Sequence, residues 1–121
     1  MIIQAESLKR LVKAILKSGG SSDDESQVVA EHLVRSNLAG HDSHGVGMLP
    51  IYLRMLQANL LKPNQVPELF KSDGSIMMFD GKRGYGQAVG KIAMEKAIEK
   101  CRESGLVLMT LRNTHHLGRI G

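Results

Sequence analysis

The sequence predicts an α/β protein in which a small helical domain precedes the start of a mixed helix-and-strand domain. Three observations carry that expectation. Apolar residues recur at helical spacing, with capping signals, through residues 7–59. Pro63 and Pro67 then mark a change of character. Beyond them, short β-prone runs flank one long helical pattern, as in a sheet with a crossover helix. A boundary near Gln65 divides the chain into a helical domain, 1–65, and the beginning of an α/β domain, 66–121.

Each element has its own signal. Residues 7–17 carry Leu8, Leu11, Val12, Ile15 and Leu16 on one stripe, opposed by Lys9, Arg10, Lys13 and Lys17. A basic amphipathic helix also suits a membrane surface, but packing of the stripe on a core is the expectation here. Gly19 and Gly20 stop this helix. Ser22 and Glu25 form a capping-box pattern, and Asp23 and Asp24 favour the positive end of the next helix. That second helix buries Val28, Val29 and Leu33 and ends near Gly40. Pro50 fits the first turn of a third, running through Tyr52, Met55, Leu56 and Asn59. A strand is expected over 68–71, a turn at Asp73-Gly74, and a strand over 76–79 closed by Asp80-Gly81. A long helix follows, with Val89, Ile92, Ala93, Ala97 and Cys101 on one face and Gly105 as its stop. Residues 106–111 are expected as a fully buried strand. The chain stops soon after that strand, so it is read as an N-terminal piece of something longer.

Composition excludes several classes. Of 121 residues, 42% are apolar and 23% charged, enough for one packed domain and wrong for a disordered tail. No apolar run approaches the roughly 18 residues of a membrane span, and no membrane partner is expected. The single cysteine, Cys101, builds neither a disulfide framework nor a thiolate zinc site, which points to a cytoplasmic setting. Aromatics are 3% with no Trp, against a base-stacking platform. Lys and Arg exceed Asp and Glu by a net +4; residues 1–60 hold six of each sign, so the excess lies in 61–121. This bias suits a solvated helix face or a small anionic ligand, and no nucleic acid.

Four of five histidines fall in two loops. The first is Gly40-His41-Asp42-Ser43-His44-Gly45-Val46-Gly47, between helices. The second is Arg112-Asn113-Thr114-His115-His116-Leu117-Gly118-Arg119, after a strand. His32 lies inside a helical stretch and reads as structural. Imidazole trades protons near neutral pH, glycines admit a ligand to the backbone, and strand ends are where open α/β sheets bind ligands. Three chemistries compete. A metal would take His41, His44, His115 and His116, without the helical i, i+4 spacing of a zincin. A nucleophilic Ser43 lacks the Gly-x-Ser-x-Gly elbow. Or Asp42 and Ser43 merely cap and turn the chain. The segment from Gly84 to Gly90 has fingerprint-like glycines at the wrong spacing, with Arg112 where a ribose-binding acid is required, and reads as a glycine-rich packing connection.

The stretch Asn37-Leu38-Ala39-Gly40-His41-Asp42-Ser43-His44-Gly45, with Pro50 and Tyr52, resembles the first signature of the malate/L-lactate dehydrogenase family. These are type-2 nicotinamide-dependent hydroxycarboxylate dehydrogenases, among them sulfolactate and ureidoglycolate dehydrogenases. Asp80-Gly81, Gly86-Gln87, Ala93-Met94, Arg112-Asn113, His115-His116 and Gly118-Arg119-Ile120-Gly121 agree in order and spacing. The likeness is greatest to the hydroxycarboxylate, or 2-oxo acid reductase, branch. It implies a non-Rossmann nicotinamide-binding fold of the malate/sulfolactate dehydrogenase type, incomplete here, with subunits pairing as homodimers. It also implies hydride transfer between NAD or NADP and a small 2-oxo or 2-hydroxy acid, and no metal.

By that resemblance His44 is the proton donor and acceptor and touches the cofactor, Ser43 orients it, and His116 is a second candidate for the same proton. Gly118, Arg119 and Ile120 would contact the cofactor. Many members place Arg where Met48 stands, so Arg112, Arg119 or a later residue must meet the substrate carboxylate, with Arg112 as the substrate-binding candidate. The alternative is a catalytically inactive truncated fragment acting only as a dimerising or metal-binding module.

Overall fold

The structure, a computed structural model, describes residues 2–120. Among these residues four α-helices and three strands succeed one another as α1 (Ala5–Ser18), α2 (Asp23–Leu38), α3 (Leu49–Gln57), β1 (Glu68–Asp73), β2 (Ile76–Asp80), α4 (Gly86–Ser104) and β3 (Leu108–Arg112). Two single 3-10 turns, Asp42–His44 and Val46–Met48, link α2 to α3.

The first core forms because α1 and α2 each bury a narrow stripe. Val12 and Leu16 meet Val29, Ala30 and Leu33, and Tyr52 of α3 and Leu61 close the cluster. The same core takes in Tyr85 and Ala88, from the start of α4. Each fully buried Leu or Val here is worth about 1.5–3 kcal/mol of transfer free energy. The stripe of α1 is narrower than its periodicity suggests: Leu11 remains 56% exposed. At roughly 100° per residue it stands about 120° round the helix from the midpoint of Val12 and Leu16.

The α2 cap also differs from the expected box. Ser22 Oγ accepts the Glu25 N–H at 3.2 Å, but the Glu25 carboxylate accepts from Asn64 N–H (2.8 Å) instead of from Ser22. Asn64 closes the gap, its Oδ1 accepting from Ser22 N–H at 2.7 Å and its amide donating to Gly20 O at 2.8 Å. A residue from outside the helix completes the cap and ties the chain entering the sheet to the turn between α1 and α2. Asp23 is held by Lys13 and Lys17, which push its carboxyl down to about 2.

β1 pairs antiparallel with β2, with a bulge between Leu69 and Lys71, and β2 pairs parallel with β3, giving the order β1-β2-β3. The parallel step requires a crossover, which α4 supplies. Ala93 and Ala97 let α4 approach closely and cover Met77 and Phe79, with Val107, Met109 and Leu111 alongside. The final strand corrects an expectation. β3 begins at Leu108, not 106, and is not fully buried: its residues alternate exposed and half-buried, and Leu106 and Leu108 are 73% and 61% exposed. β3 lies at the edge of the three described strands and α4 covers one face, so only alternate side chains find a core. Gly105, at φ +76, ends α4 in the left-handed conformation that the sequence asked of it.

The glycine-rich connection into α4 is a packing device. A Cβ on Gly86 would run into the backbone carbonyls of His115 and His116, and one on Gly90 would meet Leu117 Cδ2 at 2.9 Å. Arg83 N–H donates to Asn113 O (2.7 Å) and His115 N–H to Gly84 O (3.1 Å). The chain leaving β3 is thereby laced across the N-terminus of α4. Among the described residues no helix is long and apolar enough to cross a membrane.

Candidate functional site

The first histidine loop is organised by the residue that precedes it. Asn37, near the end of α2, donates from Nδ2 to Asp42 Oδ1 (2.6 Å) and accepts the Val46 N–H at Oδ1 (2.8 Å). Gly45 has to be glycine, because any Cβ there would overlap the Asn37 amide. With Gly40 at φ +75 to turn the chain, the loop wraps this amide and delivers His44 half-buried. The second loop, laced over α4, delivers His116 from the other side.

The two rings meet. His44 Nδ1 lies 2.8 Å from His116 Nε2, with ring centroids 5.1 Å apart and planes 18° from parallel. His116 Nδ1 is 2.9 Å from the Tyr52 hydroxyl, and Gln87 Nε2 donates to that hydroxyl at 2.7 Å. Tyr52 and Gln87 are buried, and Tyr85 packs edge-on against Tyr52 at 5.5 Å. Four elements therefore contribute one polar chain: Gln87 from α4, Tyr52 from α3, His116 and His44 from the loops. Burial lowers the pKa of His116 below the ordinary imidazole value, and the nearby His44 and His32 add to this. Burial raises the Tyr52 hydroxyl, with the Gln87 bond opposing. The site thus keeps a neutral imidazole beside a protonated phenol near neutral pH.

The remaining expectations fare differently. Ser43 is exposed and, among the described residues, makes no hydrogen bond to His44; the Nδ1 that it would steady is already taken by His116. His41 and His115 spend a ring nitrogen each on backbone carbonyls, Ala39 O and Leu60 O, both at 2.9 Å. The four-histidine metal cluster does not assemble, and among the described residues no three His, Cys, Asp or Glu side chains gather to hold a metal. Arg112 is engaged elsewhere. The β2 and β3 register sets it opposite Asp80, which it meets at 3.2 Å, and its guanidinium lies 4.1 Å over the Phe70 ring. Asp80 also accepts from Lys82 N–H and Asn113 Nδ2, which hold its carboxyl below the usual range. Met48 packs against the helical core.

Arg119 and Ile120 line a cavity of about 160 Å³ together with His32, Arg35 and Ser36. His32, read from sequence as structural, belongs to this neighbourhood. Among the described residues its buried Nε2 meets no hydrogen-bond partner, and a Cβ on Gly118 would come within 2.7 Å of it. Burial lowers the His32 pKa, partly offset by the Arg119 backbone, while Arg35, Arg119 and His44 push it further down. Gly121, the last residue of the matching motif, lies outside the described residues. A larger cavity, about 640 Å³, opens between α2 and α4 beside Glu25, Glu31 and Lys91, and none of the loop histidines lines it.

Sequence reasoning missed the roles of Asn37, Tyr52, Gln87 and His32. Tyr52 hid in an apolar stripe. Gln87, an amide among Ala88 and Val89, was the one available signal, since a buried polar group demands a partner.

The malate/L-lactate dehydrogenase family model matches residues 3–121. Hydroxycarboxylate dehydrogenase B of Escherichia coli O157:H7 is 40% identical over 117 residues, covering 97% of this chain and 32% of that protein. The L-lactate dehydrogenase of Cupriavidus necator is 40% identical over 121 residues, covering 100% and 35%. The sulfolactate dehydrogenase structure from Methanocaldococcus jannaschii superposes with a TM-score of 0.91 at 34% identity, covering 98% of this chain and 34% of that one. The chain spans about a third of the length of the curated relatives it matches. On this match the chain belongs to the malate/L-lactate dehydrogenase family.

Proposed function

We propose that this chain supplies the proton-handling part of an oxidoreductase that moves a hydride between NAD(P)H and a small 2-oxo or 2-hydroxy carboxylic acid. The observation that carries the proposal is the contact between His44 and His116, backed by Tyr52. Reduction of a 2-oxo acid leaves negative charge on the former carbonyl oxygen, so a positioned acid must deliver a proton as the hydride arrives. His44 is the proton donor and acceptor: its Nδ1 faces His116, which leaves Nε2 for substrate. His116 acts through His44, and Ser43 is left as a candidate contact at the mouth of the loop.

The residues in place suit a dinucleotide in two respects. Arg35 and Arg119 bring positive charge, beside the neutral His32 ring, to a cavity that no acidic side chain among the described residues lines, which fits phosphate or carboxylate. Gly118, at φ +76, brings backbone close there without a side chain. The nicotinamide, when bound, supplies or receives the hydride; the chain holds the proton and the anion. Gly118, Arg119 and Ile120 are the proposed cofactor contacts, and Arg119 takes precedence over Arg112 for the anion, because Arg112 is already paired. A cytoplasmic setting and a homodimer belong to the same proposal, supported by the lone Cys101 and by family membership.

The test is a steady-state assay of NADH and NADPH loss with the full-length protein and a panel of 2-oxo acids. His44→Ala is expected to lower kcat by about 10²–10⁴-fold, the usual worth of a general acid. Turnover of no 2-oxo acid, or turnover indifferent to His44→Ala, overturns the proposal.

A further inference from the structure

We propose that Tyr52 and Gln87 are positioning residues that set, in series, which nitrogen of His116 and then of His44 carries the proton. This rests on the reading of His44 as the proton donor. The hydrogen atoms fall into place one after another along this chain. The Gln87 amide donates to the Tyr52 oxygen at 2.7 Å, so the phenol hydrogen is free to point the other way, at His116 Nδ1, 2.9 Å distant. A nitrogen that accepts has no hydrogen of its own, so neutral His116 carries its proton on Nε2. That Nε2–H donates across 2.8 Å to His44 Nδ1, so neutral His44 carries its proton on Nε2, the one ring nitrogen outside the chain. Each link fixes the next. The outcome is a donor presented where a substrate oxygen has to receive it.

The chain has a second orientation. When His44 is an imidazolium, its Nδ1 bears hydrogen and must donate. His116 then accepts at Nε2 and donates from Nδ1 to Tyr52, and the phenol hydrogen needs an acceptor beyond. Gln87 Oε1 is buried with no partner among the described residues, and a turn of that amide brings it to the hydroxyl. Gln87 therefore serves either direction, a capacity that a leucine of similar volume lacks. The donating form is the imidazolium: one proton leaves His44 Nε2 for the substrate oxygen, the Nδ1 hydrogen stays in its bond to His116, and His44 is left neutral with no charge passed to Tyr52. Burial of Tyr52, which disfavours a phenolate, enforces that restriction.

The experiment reads ring tautomers by long-range proton–nitrogen correlation NMR on the histidine-labelled protein at neutral pH, with kcat and KM measured in parallel. The expected wild-type result is Nε2–H at both His116 and His44. Tyr52→Phe, which keeps the ring and removes the donor, should release both histidines into tautomer mixtures. It should lower kcat by about tenfold, the size of effect seen when an outer partner of a histidine is lost, with KM within about twofold. Gln87→Leu should release His116 to a lesser degree. Nδ1–H at wild-type His116, or tautomers unmoved by Tyr52→Phe, overturns the inference; the wild-type spectrum decides alone if the variant fails to fold. Tautomers that behave as expected in a protein reducing no 2-oxo acid would keep the relay and discard the proposed function.

Discussion

The two histidine loops reach one another by different means. The loop bearing His44 is organised from within: Asn37, seven residues earlier, clamps Asp42 and Val46, and Gly45 makes room for its amide. The loop bearing His116 is organised from without, by Gly81, Gly84 and Gly86 on a turn far back in the chain. A local clamp can yield by moving one side chain. A loop pressed on backbone cannot, because its obstacle is the peptide chain of another element. The comparison teaches that the His44 side of the site is adjustable and the His116 side is a fixed wall.

Substitutions at the two glycines test this asymmetry most strongly. Ala in place of an ordinary helical glycine stabilises by about 0.5–1 kcal/mol. At Gly86 the new methyl meets the His115 and His116 carbonyls, so Gly86→Ala is expected to destabilise by about 3 kcal/mol, at the upper end of overpacking costs. At Gly45 the three atoms nearest a new methyl all belong to the Asn37 side chain, and the expected cost of Gly45→Ala, about 1–2 kcal/mol, is the loss of that clamp. Denaturant unfolding of both variants measures the difference, and equal costs would erase the distinction between the loops. A finer test is the double variant. Once Asn37→Ala has removed the amide, Gly45→Ala should add nearly nothing, because both changes abolish one interaction. Full additivity would mean that Asn37 and Gly45 act separately.

A smaller effect concerns pH. Burial holds His116 and His32 below 6.5, so between their folded values and 6.5 the unfolded chain binds more protons than the native one. Stability from this source is complete above 6.5 and is lost as pH falls through the folded values. Glu25 opposes it: burial raises its carboxyl above 4.5, so its contribution is complete below 4.5 and fades as pH rises. As pH falls below 6.5, the melting temperature of wild type should therefore drop more steeply than that of His116→Gln. Parallel curves would show that His116 is not held neutral by the fold.

The same contrast explains how much was legible in sequence. Helices announce themselves through spacing that local geometry enforces. The loop around His44 showed as a loop through its glycines, but the Asn37 clamp inside it did not. Strand positions were legible from β-prone runs, although β1 extends two residues beyond the expected 68–71, to Asp73, because Asp73 still pairs with Ile76, and the turn falls at Gly74-Ser75. The burial of β3 was not, since an apolar run says nothing about whether a neighbour covers both faces. Nor was the true cap of α2, completed by Asn64 across 42 residues of sequence. The site shows the same limit. Resemblance placed His44 and His116, 72 residues apart, at one site, and their rings do meet; it named Ser43 as the neighbour of the His44 ring, where His116 stands. Tyr52 reads as a core aromatic because it is one; only its hydroxyl, at the edge of that core, belongs to the site. His32 looked structural because nothing in sequence brings Gly118 beneath it.

The whole account depends on the contact between the two imidazoles. Ring-to-ring cross-relaxation NMR, with the histidine signals assigned by single substitutions, tests it most directly. With centroids 5.1 Å apart, a cross-peak between carbon-bound ring protons of His44 and His116 is expected, and it should vanish in His116→Gln. Rings that show cross-peaks only to residues of their own loops would contradict the shared site and everything derived from it.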